Sequence, residues 1–470
     1  MKRWLCFFAL CLSAALARAE LPAPVAQALA AAHIPLTNVA VAVQPVDAPA
    51  PLVAHNAGQA MSPASVMKLL TTYAALDLLG PAHVWPTTAW GDAAPSGGAL
   101  EGNLYVQGSG DPHFVIEDLW ALLREARVRG VERIDGDIVL DASAFAPFAF
   151  DPTAFDNKPM RPYNVGPSAL LINFQTLSFI VQPAEGRARV LLATPSEGLR
   201  IDNHLRLTTG ACPSDWKDRI AISVQPEGGG QRLEITGSYA ARCGERALDL
   251  APLAPAAYDA GLIRALWREL GGSLRGTVRA GRVPAAATLL ARHESMPLAE
   301  MIRDINKFSN NVMARQLFLS LAGEGAPASV EQARQRIAGW LARRRLSFPE
   351  LVLDNGAGLS RGERISAGSL NRLLLDAWRH PLMPEFVASL PLSGIDGTMK
   401  NRLQSGPAAG RGHIKTGTID GVKAAAGYAL DADGHAVAVT MLINDPRAAA
   451  GAPAIDALLT WVAEQRSGQR

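Results

Sequence analysis

Four scarcities bound this 470-residue chain before any motif is read. Net charge is the first. Lys and Arg total 45, Asp and Glu 43, and the formal balance is +2. A nucleic-acid binder needs a basic face or a basic run with interleaved aromatics. Neither is present, so nucleic acid is excluded as a partner. Cysteine is the second, at four residues. Cys6 and Cys11 fall in an N-terminal leader, which leaves Cys212 and Cys243, an even pair that reads as one disulfide in an oxidising compartment. Metal-binding patterns are the third. The nine histidines are scattered, none has the His-Glu-x-x-His spacing, and no phosphate-binding glycine loop occurs. No metal and no organic cofactor is expected.

Long apolar runs are the fourth. The notable one is Trp4 to Leu16, preceded by Lys2 and Arg3 and followed by Ala17-Arg18-Ala19. A short basic start, an apolar stretch and small residues at the cut make a secretory signal, with cleavage expected after Ala19. The run is shorter than the roughly 20 residues needed to span a bilayer. No later segment is long enough either, so the mature chain is expected to be exported to the periplasm with no integral membrane span.

What the chain does have is 49% hydrophobic and 19% charged residues, the balance of a folded globular protein with room for two or three domains. Val-rich alternation over 38–44 predicts a strand, with 52–54 beside it. Pro63 opens a largely apolar helix over 64–79, closed by Gly80-Pro81. Residues 91–102, rich in Gly, Ala, Ser and Pro, read as a linker. The stretch from 86 to 290 then shows short strand patterns at 103–107, 134–140, 178–182, 189–193, 220–224 and 233–237, with helices at 114–128 and 258–270. It carries both mature cysteines and reads as an inserted β-rich accessory module. Helical texture returns at Ser295, a candidate cap for a helix over 296–308. Further helices are expected at 310–321, 329–344, 366–378 and 384–389. Strands follow at 412–416, 424–430 and 436–443, with a terminal helix over 454–465. The expected architecture is a layered α/β (α+β) core with an antiparallel sheet and helices. Its catalytic part is discontinuous, 20–85 and 291–470, after a signal at 1–19.

Three short patterns carry the chemistry. Ser65-Val66-Met67-Lys68 begins the apolar helix, so serine and lysine share one helix face. A lysine whose pKa is lowered by burial and neighbours can take the serine's proton. Ser309-Asn310-Asn311 adds a second hydroxyl near Lys68 to shuttle a proton, and an amide to orient Lys68 and hold a substrate. Lys415-Thr416-Gly417-Thr418 on an edge strand offers a positive charge for a substrate carboxylate, two hydroxyls, and a glycine that lets a substrate backbone approach. The N–H groups of Ser65 and Thr418 are candidates for an oxyanion hole, where one donor is worth about 3 kcal/mol. Each pattern is common alone. All three in this order, behind an export signal, point to a serine acyl-transfer enzyme.

With these motifs in hand, the chain resembles the class C low-molecular-mass penicillin-binding proteins, the D-alanyl-D-alanine carboxypeptidases/endopeptidases of the penicillin-binding protein 4 type. Pro63 to Thr72, Gly108-Ser109-Gly110-Asp111-Pro112, Gly136-Asp137-Ile138, Met301 to Asn311, Asp354 to Arg361, Gly394-Ile395-Asp396-Gly397-Thr398 and Gly412 to Thr418 match the family's blocks. The resemblance implies a penicillin-recognising transpeptidase, β-lactamase-like core interrupted by accessory β-rich domains. It implies Ser65 as acylated nucleophile, Lys68 as base, Ser309 and Asn311 as the second element and Lys415 as the third, with Thr416, Gly417 and Thr418 at the substrate. Peptidoglycan stem peptides or D-amino cross-links are the implied substrates, and β-lactams the implied covalent inhibitors. It further implies an acidic residue of the insertion against the ammonium of the substrate's diamino acid, for which Asp156 is the nearest candidate. Arg315 departs from the family pattern, where an acidic residue is usual. Two other readings stay open: a β-lactamase of the same fold, for which no Glu-x-x-x-Asn element is found, and a non-catalytic peptidoglycan-binding scaffold.

Overall fold

A computed structural model describes residues 21–466 apart from 324 and 326. The expected signal segment and its two cysteines lie outside the described residues. The strand Val39–Pro45 is buried along nearly its whole length, so both of its faces must be covered. Its side chains alternate as a pleat requires. Val39, Val41 and Val43 enter one core, Ala40 and Ala42 another. It lies second in a five-stranded antiparallel sheet ordered Val53–His55, Val39–Pro45, Ala436–Asn444, Val422–Leu430 and Gly412–Ile419. The first and last helices, Ala23–Ala31 and Ala452–Glu464, cover one face through Val25, Leu29, Leu458 and Val462. The other face is rich in alanine, which lets helices approach closely. Helices Lys68–Leu79, Leu298–Lys307, Asn311–Ser320 and Ala367–Trp378 pack there. The layered α/β architecture expected from the sequence is the one observed, with Gly412–Ile419 at the sheet edge.

The residues from 86 to 294 have a separate apolar core. They start and end in strands that pair with each other, Pro86–Gly91 and Thr288–Glu294. Residues 91–102 are therefore not a linker. Pro86–Gly91 also pairs with Leu104–Gly108, and the stretch between them is their connection. Gly, Ser and Pro mark a turn as readily as a linker. Two further sheets follow, one around Leu177–Ala184 and one around the long Gly230–Ala240. The expected strand over 134–140 is split into Arg133–Ile134 and Ile138–Asp141, because each piece joins a different sheet. Cys212 and Cys243 form the expected disulfide, 31 residues apart. A loop of that length is worth about 3–4 kcal/mol in the chain-entropy account. Ser295 does not cap the following helix. That helix begins at Leu298 after Pro297, whose fixed φ sets the start. The Ser295 hydroxyl instead donates to the Met296 carbonyl and accepts from the Trp85 N–H.

Candidate active site

The serine of the first motif sits on a tight turn rather than in the regular helix. Ala64–Met67 is a 3₁₀ turn, and Ala64 has φ of 46°, a costly left-handed conformation for a residue with a Cβ. Two glycines make room for it. Gly358 has φ of 77°, and a Cβ there would come within 1.9 Å of the Ala64 carbonyl oxygen. A Cβ on Gly417 would come within 2.7 Å of the Pro63 carbonyl oxygen and 3.1 Å of the Ser65 nitrogen. The sequence reading assigned Gly417 to close substrate approach. In the structure its bare Cα lets the edge strand press against the serine's own turn.

Helix Lys68–Leu79 then carries Lys68 inward until none of it is exposed. Its ammonium nitrogen lies 3.1 Å from Ser65 Oγ, 2.6 Å from Asn311 Oδ1 and 2.5 Å from the Ala357 carbonyl oxygen. Burial first, then the charges of Lys415 and Arg315, hold Lys68 well below the usual lysine range; Glu363 pulls the other way. A neutral amine has two N–H donors and one lone pair. Asn311 Oδ1 and the Ala357 carbonyl are acceptors only, so they take both hydrogens. In that neutral form the lone pair would face the Ser65 hydroxyl, which lies 3.1 Å away and would donate to it. That is the arrangement a general base needs.

A second pair lies alongside. Lys415, on the edge strand and also fully buried, donates to Ser309 Oγ at 2.8 Å and to the Thr416 carbonyl at 2.9 Å. Burial lowers its pKa to about 7. The lysine expected to offer a positive charge is thus easily deprotonated, and a bound carboxylate would favour its charged form. Ser309 has φ of 56°, which turns it out of the helix line between Leu298–Lys307 and Asn311–Ser320. Its hydroxyl is engaged by Lys415, while Lys68 is engaged by Asn311 two residues on. The expected Ser65, Lys68, Ser309, Asn311 and Lys415 thus form two adjoining hydrogen-bonded groups. Thr416 Oγ1 donates to Thr398 Oγ1 at 2.7 Å, and Thr418 Oγ1 accepts from Lys423 Nζ at 3.0 Å.

Several contributors carry no motif of their own. Glu363 is wholly buried, and its Oε1 accepts the N–H groups of Asp354, Asn355 and Gly356. It shapes the loop that aims the Ala357 carbonyl at Lys68. Lys307 donates to Asp396 Oδ2 at 2.5 Å and to the Leu390 carbonyl at 3.0 Å, tying the approach to Ser309 to the 391–399 segment. Gly397 passes so close that a Cβ would meet the Lys307 carbonyl oxygen at 2.6 Å. Among the described residues Arg315 forms no ion pair with an acidic side chain. It is buried and donates to the carbonyls of Tyr163 and Val165, with its guanidinium over the Phe150 ring. Backbone carbonyls of the insertion thus replace the ion pair.

The hydrogen bonds of Asp156 are made within its own loop. Its oxygens accept from the Lys158 N–H, Tyr163 Oη and Asn164 Nδ2, which hold it below the usual carboxylate range against the opposing effect of burial. Its neighbour Phe155 lies under the guanidinium of Arg361, 4.9 Å away. A cleft of about 480 Å³ opens there, lined by Phe150, Phe155, Arg315, Leu359 and Arg361 among others. Beside Ser309, a second cleft of about 600 Å³ runs between the insertion and Phe308–Val312, with Arg161 and Lys217 on its wall. Among the described residues no helix is long and apolar enough to cross a membrane.

Comparison with known proteins identifies the family. The D-Ala-D-Ala carboxypeptidase 3 (S13) family matches residues 21–465. A D-alanyl-D-alanine carboxypeptidase of Actinomadura sp. strain R39 is 31% identical over 442 residues, covering 89% of this chain and 80% of that protein. D-alanyl-D-alanine carboxypeptidase DacB of Haemophilus influenzae is 26% identical over 394 residues, covering 83% and 82%. The crystal structure of penicillin binding protein 4 from H. influenzae superposes with a TM-score of 0.77 at 24% identity, over 93% of this chain and 98% of that one. The same protein complexed with a β-lactam superposes with a TM-score of 0.72 at 25% identity, over 90% and 93%. A buried serine–lysine pair on a penicillin-binding-protein fold, matched from end to end of the described chain, means that the chain belongs to the D-Ala-D-Ala carboxypeptidase 3 (S13) family of serine peptidases.

Proposed function

We propose that the protein is a periplasmic enzyme that cleaves D-Ala-D-Ala stem peptides, D-amino cross-links of peptidoglycan, or both, through an acyl-enzyme on Ser65. The observation that carries this is the geometry at Lys68, fully buried with its Nζ 3.1 Å from Ser65 Oγ and two acceptors, Asn311 Oδ1 and the Ala357 carbonyl, on its other sides. Ser65 Oγ attacks the carbonyl carbon of the penultimate D-Ala and its proton passes to Lys68. The N–H groups of Ser65 and Thr418 receive the developing oxyanion. The C–N bond breaks as a proton reaches the departing amine, with the Ser309 hydroxyl as the last carrier. Water then attacks the ester and restores Ser65. Lys415, charged once a carboxylate arrives, anchors the substrate's terminus beside Thr416 and Thr418, and Asn311 holds its amide.

Residues 86–290 act in this reading as an accessory module inserted into a catalytic domain made of 20–85 and 291–470. Asp156 contacts the ammonium of the diamino acid. Three of its roughly four acceptor directions are already used within its own loop, so about one remains for a ligand. A β-lactam presents a strained amide and a carboxylate in the same relation, so it would acylate Ser65 and stay. Export to the periplasm rests on the N-terminal signal pattern. The test is labelling of the mature protein with a fluorescent penicillin. Wild type should label covalently, and Ser65→Ala should not, while keeping its melting temperature within a few degrees. A folded Ser65→Ala protein that still labels would refute the assignment.

A further inference from the structure

Away from the catalytic groups, one acidic side chain is buried without a partner. Asp259, on helix Pro255–Glu269 of the inserted segment, is 8% exposed, and its Oδ1 is fully enclosed with no hydrogen-bond partner. A carboxyl group in such a place is costly and calls for an explanation. Burial alone moves its pKa up to about 8. Asp259 lines a cavity of about 500 Å³ whose wall belongs wholly to the inserted segment. Most of that wall is apolar, including Phe150, Pro159, Val165, Leu253 and Val278. The size suits a small organic ligand, and the single acid offers one place for a polar head. Among the described residues, Arg279 is the only other charged one lining the cavity. Its side chain is half exposed and its Nε donates to Asp137 at 2.6 Å, so it does not neutralise Asp259. The adjacent Tyr258 donates to the Thr176 carbonyl and accepts from Asn173, so it too is occupied elsewhere. The cavity shares Phe150, Asn164 and Pro167 with the cleft lined by Leu359 and Arg361, so only this wall divides it from the catalytic side.

We propose that this cavity is a binding site for a primary ammonium carried on an apolar body, with the Asp259 carboxylate as its counter-ion. The apolar wall takes the body and the orphan acid takes the charge. The test uses the mature full chain, with 4-phenylbutylamine as probe and the isosteric alcohol 4-phenylbutanol as neutral control, both titrated calorimetrically. The amine should saturate at one site and bind at least tenfold more tightly than the alcohol at pH 8. Below that pH the amine's affinity should fall about tenfold per unit, because the acid must be ionised to accept it. Asp259→Asn should abolish the preference while penicillin labelling persists. Three results would overturn the proposal: no saturable amine binding, equal binding of amine and alcohol, or undiminished amine binding by Asp259→Asn. The comparison of amine with alcohol needs only wild type, so it decides the matter even where the variant does not fold.

Discussion

Gly417 offers the sharpest measurement of how the site is held together. Replacing it with alanine puts a methyl group 2.7 Å from the Pro63 carbonyl oxygen, 3.1 Å from the Ser65 nitrogen and 3.2 Å from the Ala64 Cβ. All three are backbone or Cβ atoms, so no flexible side chain can swing away. Restoring an ordinary 3.4 Å contact requires the edge strand and the serine turn to part by roughly 0.7 Å. Near Gly417 the strand can yield, because its outer side is held by backbone only further up, at 412–414, by the 391–393 segment. Fold stability should therefore fall only modestly, by about 1–3 kcal/mol as for other overpacked sites. The chemistry should suffer more. The same shift carries the Thr418 N–H away from Ser65 and Lys415 away from Ser309. Displacements near 1 Å cost on the order of 100-fold in rate, so acylation should slow by roughly 10- to 100-fold. The assay is the second-order rate constant for fluorescent-penicillin labelling, with a thermal melt on the same samples. Gly58→Ala is the control, since nothing lies within 4 Å of its added methyl. A Gly417→Ala rate within twofold of wild type would show that the spacing of strand and turn does not govern catalysis.

Lys415→Ala should weaken turnover of a peptide ending in a free carboxylate and spare its C-terminal amide; equal loss on both would remove the carboxylate role. Lys415 has its folded pKa depressed to about 7 from 10.5, so between those values the unfolded chain binds more protons and stability rises with pH. Melting temperature should accordingly climb from pH 7 to 9, and Lys415→Met should flatten the climb; an unchanged slope would contradict a buried, neutral-leaning lysine. Glu363→Ala orphans three N–H groups and should cost about 3 kcal/mol or more in a urea melt, whereas Glu363→Gln, which keeps one oxygen acceptor, should cost clearly less. Reduction of the Cys212–Cys243 bridge should lower stability by about 3–4 kcal/mol and leave penicillin labelling intact; loss of labelling at a temperature where the protein remains folded would tie the bridge to the site.

What could be read in advance was whatever chemistry is written locally. Ser65 and Lys68 are three residues apart, and a single turn, here a 3₁₀ turn leading into the helix, brings them together, so spacing found them. The alternation of Val39–Pro45 and the run Val422–Leu430 announced their strands because both are packed on two faces. The rest is relational. The Ala357 carbonyl completes the base's coordination with a backbone atom, and no residue type advertises that role. Glu363 is an ordinary acid in sequence. It matters only because three successive N–H groups converge on it after folding. Asp396 stood within a recognised block, yet its meaning comes from Lys307, 89 residues earlier. Gly417 was singled out for substrate approach, and its contact with the serine's own turn could not be read, since a glycine declares room without saying who fills it. The short strands Leu199–Asn203, Arg206–Thr208 and Arg246–Leu250 escaped notice because charged residues interrupt each one and their order depends on partners elsewhere. The same asymmetry explains why Ser309 could be named from its motif while its hydrogen-bond partner could not. Its motif fixes that it lies beside a lysine. Which lysine it bonds is decided by a left-handed backbone at Ser309 and by an edge strand that arrives 106 residues later.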